Sequence, residues 1–373
     1  MRSLVVAPEP PLPATSGLRL RTLHLARQLA TIAEVDVVAL GEAPRIEERF
    51  TLVGIPHTRG KLQSALTSLR RPYLAARVRS RRMDDWIRAR GWDTVQAEFP
   101  FTVASALHAD APVVLDAHNV EGDVVRGFHA AEQRVLPRMR WRWEAAKTNR
   151  LERAAVARVD AVCATSSGDA EKLEALGARR VVVVPNGVDT ESIEFTEREP
   201  SRTLLYVGDF RYRPNVAAAR ELADDVFPQV RRAVPDATLI LVGRDAPPLF
   251  RAPGVEVHSS VPDVLPFLRR AAAVVVPVRA GSGTRLKVLE ALAAGVTVVS
   301  TRFGVAGLEL QPEREFLVGE TADELAEQSV RLLRDDALAL RIARAGRAVA
   351  EAKYDWRVVA RPLLDLHREL ARA

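Results

Sequence analysis

The sequence predicts an α/β protein made of two doubly wound, parallel-sheet domains. Three observations carry that prediction. At 373 residues the chain is too long for one ordinary core. Short apolar runs alternate with helical patterns along both halves, as parallel strands and their crossover helices do. The turn Pro185-Asn186-Gly187-Val188-Asp189 and the polar stretch 190–202 part the two series. The expected domains are 1–187 and 188–355, with 356–373 a C-terminal helix packing back toward the first.

In order, residues 3–7 read as a first strand. A Pro-rich loop and Thr15-Ser16-Gly17 follow. A helix from about Leu18 to Ala33 has apolar residues at Leu20, Leu23, Ala26, Leu29 and Ala30, a helical period. Strand-like runs come at 35–40, 94–98, 112–116, 159–164 and 180–184. The second series has a strand at 203–208, a helix at 215–233, strands at 238–243 and 255–258, and a helix at 263–272. The end, 321–373, reads as helical, with Pro362 a kink or boundary.

Composition narrows the function classes. The chain is 47% hydrophobic and 27% charged, a folded-protein balance. The single cysteine, Cys163 in an apolar strand, rules out an internal disulfide and suits a reducing compartment. No run suggests a signal peptide or a membrane span, so a cytoplasmic location is expected. The net charge of +6 rests almost wholly on arginine. Neither Arg-rich segment, 70–90 or 134–158, matches a nucleic-acid module, and no nucleic-acid partner is expected. In the first, Leu74, Val78, Trp86 and Ile87 lie among arginines, which suits either a solvated helix or peripheral contact with an anionic membrane at its inner face.

Residues 274–301 are the most informative stretch. A buried strand reaches Val278, Gly281 and Gly283 break it, and a helix runs from about Arg285 to Gly295 as its C′ residue. A further strand begins at Val296. Strand, glycine loop and helix form a geometry in which backbone N–H groups cradle an anion. Arg285 and Lys287 stand in the first turn, where the helix dipole disfavours a cation by roughly 0.3–1 kcal/mol. An anion on the loop reverses that sign; surface carboxylates are the other explanation. Arg19 and Arg21, after Gly17, repeat the pattern and suggest a second helix end aimed at the same anion, with a surface position equally open to Arg19. No Asp-x-Asp motif and no His/Cys cluster with ligand spacing is present, so no metal is expected.

Four segments in this order resemble the retaining GT-B glycosyltransferases of the group 1 family, also called family 4. They are PATSGLRLRTLHLARQL, VVPNGVD, VGDFRYRPN and GSGTRLKVLEALAAGVTVVST. The last is similar to a bacterial sub-group associated with exopolysaccharide gene clusters. The resemblance implies metal-independent transfer of a sugar from a nucleoside diphosphate sugar to a glycan, lipid-linked or small-molecule acceptor, with retained configuration and no cofactor. The second domain would hold the nucleotide and the first the acceptor, across a cleft.

Residue by residue, the resemblance places Glu290 on the ribose hydroxyls and Gly281, Ser282, Gly283 and Thr284 against the diphosphate and sugar. Val261, in the VPD segment, falls beside the base, and Gly17 near the diphosphate. Arg211 and Arg213 fall near the place of a diphosphate-binding pair, and His118 where a His contacts the transferred sugar. Arg285 and Lys287 would stabilise the leaving diphosphate. Glu98 ends a strand on the ligand face, where it would bind acceptor or form a structural ion pair. The chain departs from the pattern at Ser282, where the family has the first of two Glu, at Gly17-Leu18 in place of a double glycine, and at Pro214-Asn215 in place of Lys-Gly. A GT-B nucleotide-sugar epimerase and a non-catalytic sugar-nucleotide-binding partner are the alternative readings.

Overall fold

The structure is a computed structural model that describes residues 1–14, 16–44, 48–56, 71–132, 134–195, 201–247, 252–280 and 285–372. The chain forms two compact units: Met1–Asn186 with Val359–Ala373, and Gly187–Val358.

The first unit is built on a seven-stranded parallel sheet. Its strands are β1 (Arg2–Ala7), β2 (Glu34–Leu40), β3 (Thr51–Ile55), β4 (Thr94–Glu98), β5 (Val113–Ala117), β6 (Ala161–Ala164) and β7 (Val181–Val183). The order β3-β2-β1-β4-β5-β6-β7 reverses between β1 and β4, the switch point at which such sheets bind ligands. Leu4, Val5, Val6 and Ala7 are all buried because helices cover both faces. β3 was not evident as a strand in the sequence. It is a half-buried edge with a glycine, Gly54, and so lacks a continuous apolar run.

The second unit repeats the plan with β8 (Thr203–Val207), β9 (Thr238–Gly243), β10 (Val255–Ser259), β11 (Ala273–Val276), β12 (Thr297–Ser300) and the two-residue β13 (Leu317–Val318). The order β10-β9-β8-β11-β12-β13 reverses between β8 and β11. The helix expected at 215–233 is interrupted: Arg213–Glu221 and Phe227–Ala233 flank a π-helical turn, Leu222–Val226. Pro228 explains the break, since it has no N–H to donate back along the helix.

The helix Leu286–Ala293 ends as its sequence predicts. Gly295 takes φ +67°, its N–H donates to Leu292 O at 3.0 Å, and the Val296 N–H donates to Ala291 O at 2.8 Å. These paired bonds close the helix with a left-handed glycine.

The last helix, Arg361–Leu370, belongs to the first unit. Pro362 is at its second position, where a missing N–H costs nothing. Leu363, Leu364, Leu366 and His367 are buried, and His367 Nδ1 lies 2.8 Å from Thr94 Oγ1 on β4.

Candidate active site

In the first unit the carboxyl ends of β4 and β5 carry the chemistry. Their register sets Glu98 beside Asp116, and His118 follows two residues later. His118 Nε2 donates to Glu98 Oε2 at 2.7 Å and lies 3.3 Å from Asp116 Oδ2. Arg21 reaches up from the helix Gly17–Leu29 and grips Asp116 with both arms, Nε to Oδ2 at 2.8 Å and Nη2 to Oδ1 at 2.6 Å. Its remaining nitrogen donates to Pro185 O and to Asn186 Oδ1. Thr22 and Gln96 donate to the two oxygens of Glu98. The Phe99 ring stacks on His118 with centroids 4.1 Å apart, and Phe99 itself has φ +70°. Such a conformation costs a non-glycine residue on the order of 1 kcal/mol and gathers at functional sites.

Electrostatics follow from that wiring. Burial opposes a charge on His118, but its bonds to Asp116 and Glu98 outweigh burial and raise its pKa. Burial also works against an ionised Asp116, yet Arg21 and His118 hold it well below the usual carboxylate range. Nε2 faces the carboxylates, so Nδ1 is the nitrogen that can meet a ligand. Glu98, Asp116 and His118 offer ligand atoms within 4.8 Å of one another. A divalent cation there would have to compete with the Arg21 guanidinium, which already takes both oxygens of Asp116.

One expectation changes here, and two that were left open are decided. Arg21 does not face a diphosphate: it is 1% exposed and its anion is Asp116. Arg19 is paired with Glu9 at 2.8 Å. Glu98 is fully buried with both oxygens bonded, so it acts on His118 and presents no surface to an acceptor. Gly17 is the exposed first residue of its helix, whose N-cap is Ser16.

In the second unit, Arg285 is the N-cap residue of Leu286–Ala293 and no acidic residue lies in the first turn. Lys287 points back across the sheet. Its Nζ donates to Asn215 Oδ1 at 3.0 Å and Tyr206 Oη at 3.1 Å, and sits 4.3 Å from the centre of the Tyr206 ring. Burial, reinforced by the Arg285 charge, pulls Lys287 down to about 7. Burial pushes Glu290 up to about 7 against the pull of Lys287, and Asp263 adds to the rise. The Arg285 guanidinium lies 4.9 Å from the centre of the Phe303 ring.

Arg211 is exposed and bidentate on Asp209, and Arg213 is the exposed first residue of its helix. At the ends of β8 and β9 the backbones nearly touch. A Cβ at Gly243, φ +148°, would fall 1.8 Å from Gly208 O. Gly281, Ser282, Gly283 and Thr284 lie outside the described residues.

Two family models match successive parts of the chain: Glycosyltransferase Family 4 over residues 15–192, and Glycosyl transferases group 1 over residues 201–335. The chain is a GT-B glycosyltransferase of the group 1, family 4 type. Glycogen synthase of Mycobacterium tuberculosis is 26% identical to this glycosyltransferase over 418 aligned residues, 96% of this chain and 92% of the relative. Sucrose-phosphate synthase of Thermosynechococcus elongatus superposes with a TM-score of 0.70 at 18% identity, covering 99% of both chains. Anabaena HepE in complex with UDP and glucose gives a TM-score of 0.70 at 14% identity, covering 98% of this chain and 99% of that one.

Several site residues of the glycosyltransferase were not singled out from sequence. Asp116 had a signal: it alternates with His118 at the end of one strand and so shares its face. Tyr206 and Asn215 had none, because their role is to hold a lysine far along the chain.

Proposed function

We propose that this glycosyltransferase takes a nucleoside diphosphate sugar as donor and transfers the sugar, with retention and without a metal, to a glycan, lipid-linked or small-molecule acceptor. The observation that carries the reading is Lys287, a cation at the positive end of a helix whose hydrogen-bond partners among the described residues, Tyr206 and Asn215, are neutral. Such a site is stabilised by an incoming anion. Lys287 and Arg285 take the charge that develops as the bond between the anomeric carbon and the diphosphate oxygen breaks. Glu290 accepts from the ribose hydroxyls, and Val261 borders the base. His118, held at Nε2 by its two carboxylates, presents Nδ1 to a hydroxyl of the transferred sugar. The acceptor oxygen bonds to the anomeric carbon on the face the phosphate leaves, and its proton passes to the departing phosphate. UDP and glucose bound to HepE, of the same fold, support a sugar-nucleotide donor. Peripheral contact with an anionic membrane belongs to the same reading, supported by the basic balance of the chain.

The test is a thermal-shift screen against UDP-, GDP-, ADP- and dTDP-sugars in chelator, followed by NMR of the product's anomeric proton. A donor at about 100 times its Kd adds about 2.7 kcal/mol of stability. The reading fails if no sugar nucleotide shifts the transition. An inverted product, or loss of activity in chelator, removes retention or metal independence respectively.

A further inference from the structure

Of the four apolar residues that suggested membrane contact in the first Arg-rich segment, only Leu74, 51% exposed, lies open. Val78 and Ile87 are buried, and Trp86 packs against Trp92 with ring centroids 5.8 Å apart. The second Arg-rich segment, the helix Val135–Val156, does the opposite. Val135, Leu136 and Met139 are 71%, 80% and 63% exposed, and Trp143 about half. Residues 136, 139, 143, 147, 150 and 154 recur at intervals of three and four, so they share one face of the helix. Its first half is apolar and uncovered; its second half borders a groove.

That groove, of about 680 Å³, is lined by five cations: Arg71, Arg79, Lys147, Arg150 and Arg158. Among the described residues no carboxylate lines it. Glu144 pairs with Lys147 at 2.6 Å and Asp84 approaches Arg79 at 3.5 Å, while Arg71, Arg150 and Arg158 make no ion pair among the described residues. Its apolar wall includes Phe101, Val103 and Trp143, and the Trp143 ring lies 4.3 Å from Lys147 Nζ. Cations around an apolar wall, continuous with an exposed apolar stripe, fit a ligand that is anionic at one end and hydrocarbon at the other. A free sugar phosphate would use the charges and leave the stripe in water. A protein partner would not call for three unpaired arginines in one groove.

We propose that this face of the first unit docks on a bilayer bearing anionic phospholipids, with a lipid headgroup phosphate in the groove of Arg71, Arg150 and Arg158 and with Val135, Leu136 and Met139 among the acyl chains. An apolar face buried at the headgroup boundary and flanked by arginine binds in this way, the cations being drawn to the anionic leaflet. The inference rests on the proposed membrane contact and identifies the surface that makes it.

The test is co-sedimentation of the full chain with phosphatidylcholine vesicles, with or without phosphatidylglycerol. Two variants are compared, Arg150→Glu with Arg158→Glu, and Leu136→Ser with Met139→Ser. Sugar-nucleotide hydrolysis is followed in each as the check on fold and donor site. The expected result is binding that requires phosphatidylglycerol and falls about tenfold or more in either variant, with hydrolysis unchanged. Equal binding to neutral vesicles, or variants that bind like wild type, would overturn the proposal. So would a dimer in sedimentation that Leu136→Ser with Met139→Ser dissolves, which would assign the face to a second copy. Competition by glycerol phosphate as effective as by vesicles would make the groove a soluble-anion site and also overturn it. Loss of vesicle binding with hydrolysis intact leaves the transferase reading standing, whereas absence of hydrolysis in wild type tells against that reading alone.

Discussion

Arg21 holds Asp116 through two hydrogen bonds of 2.6 and 2.8 Å, although 95 residues separate them in the chain. The pair fixes the end of β5, and through Asp116 it fixes His118. Both partners are buried, so removing one leaves the other charge uncompensated.

Arg21→Met is therefore expected to destabilise the first unit by about 3–5 kcal/mol, the range for breaking a buried pair from one side. Urea denaturation followed by circular dichroism reads the change. A loss below about 1 kcal/mol would mean the pair is no stronger than a surface one.

Nucleotide affinity should pass through a maximum near neutral pH. Lys287 and Glu290 both titrate at about 7, Lys287 brought down and Glu290 pushed up. A diphosphate favours the charged lysine, so binding on the alkaline side takes up a proton and weakens as pH rises. Ribose hydroxyls favour the carboxylate, so binding also weakens as pH falls. The limbs belong to an interacting pair and are separated with variants. Lys287→Met should flatten the alkaline limb and Glu290→Gln the acidic one. Calorimetry in two buffers of different ionisation enthalpy measures the proton; a flat pH profile would remove both groups from the nucleotide.

His118→Ala and Glu290→Ala should differ in kind. The first is expected to lower turnover at least about tenfold, or roughly 1.4 kcal/mol of barrier, with nucleotide affinity nearly kept. The second should weaken binding while turnover at saturation holds, since ribose contacts are equal in ground and transition states. Full turnover in His118→Ala would contradict the sugar contact.

Stability should fall on mild acidification, and His367 is one cause. Burial holds this residue at about 4, below its ordinary 6.5. Between those values the unfolded chain binds a proton that the folded one does not. The stabilisation is thus complete above 6.5 and lost as pH drops toward 4, about 3 kcal/mol across the window. Urea midpoints taken across that range should slope more steeply for wild type than for His367→Gln; parallel slopes would clear His367 of the effect.

Much of the fold was legible in the sequence because its signals are local. The strand, loop and helix around Gly295 were visible, since a glycine at a helix end and an apolar run are read within a few residues. β3 was not, because an edge strand is only half buried. The site was legible as an anomaly and less so as an assignment. Arg21 and Lys287 both looked misplaced at a helix start. For Arg21 the missing anion is Asp116, within the same unit. For Lys287 the partners Tyr206 and Asn215 are neutral and lie 81 and 72 residues away. Only the packed chain distinguishes a cation that is already satisfied from one held open.

The last helix gives the order of synthesis a consequence. Residues 359–373 belong to the first unit, yet a ribosome makes them after the whole of the second. The nascent chain therefore carries an unfinished first unit, with the sites for Leu363, Leu366 and His367 uncovered, throughout translation of residues 187–358. The second unit can close as soon as it emerges; the first must wait for residues 359–373. A fragment cut at Asn186 is thus an incomplete unit, and one that restores 359–373 through a short linker is the form to express.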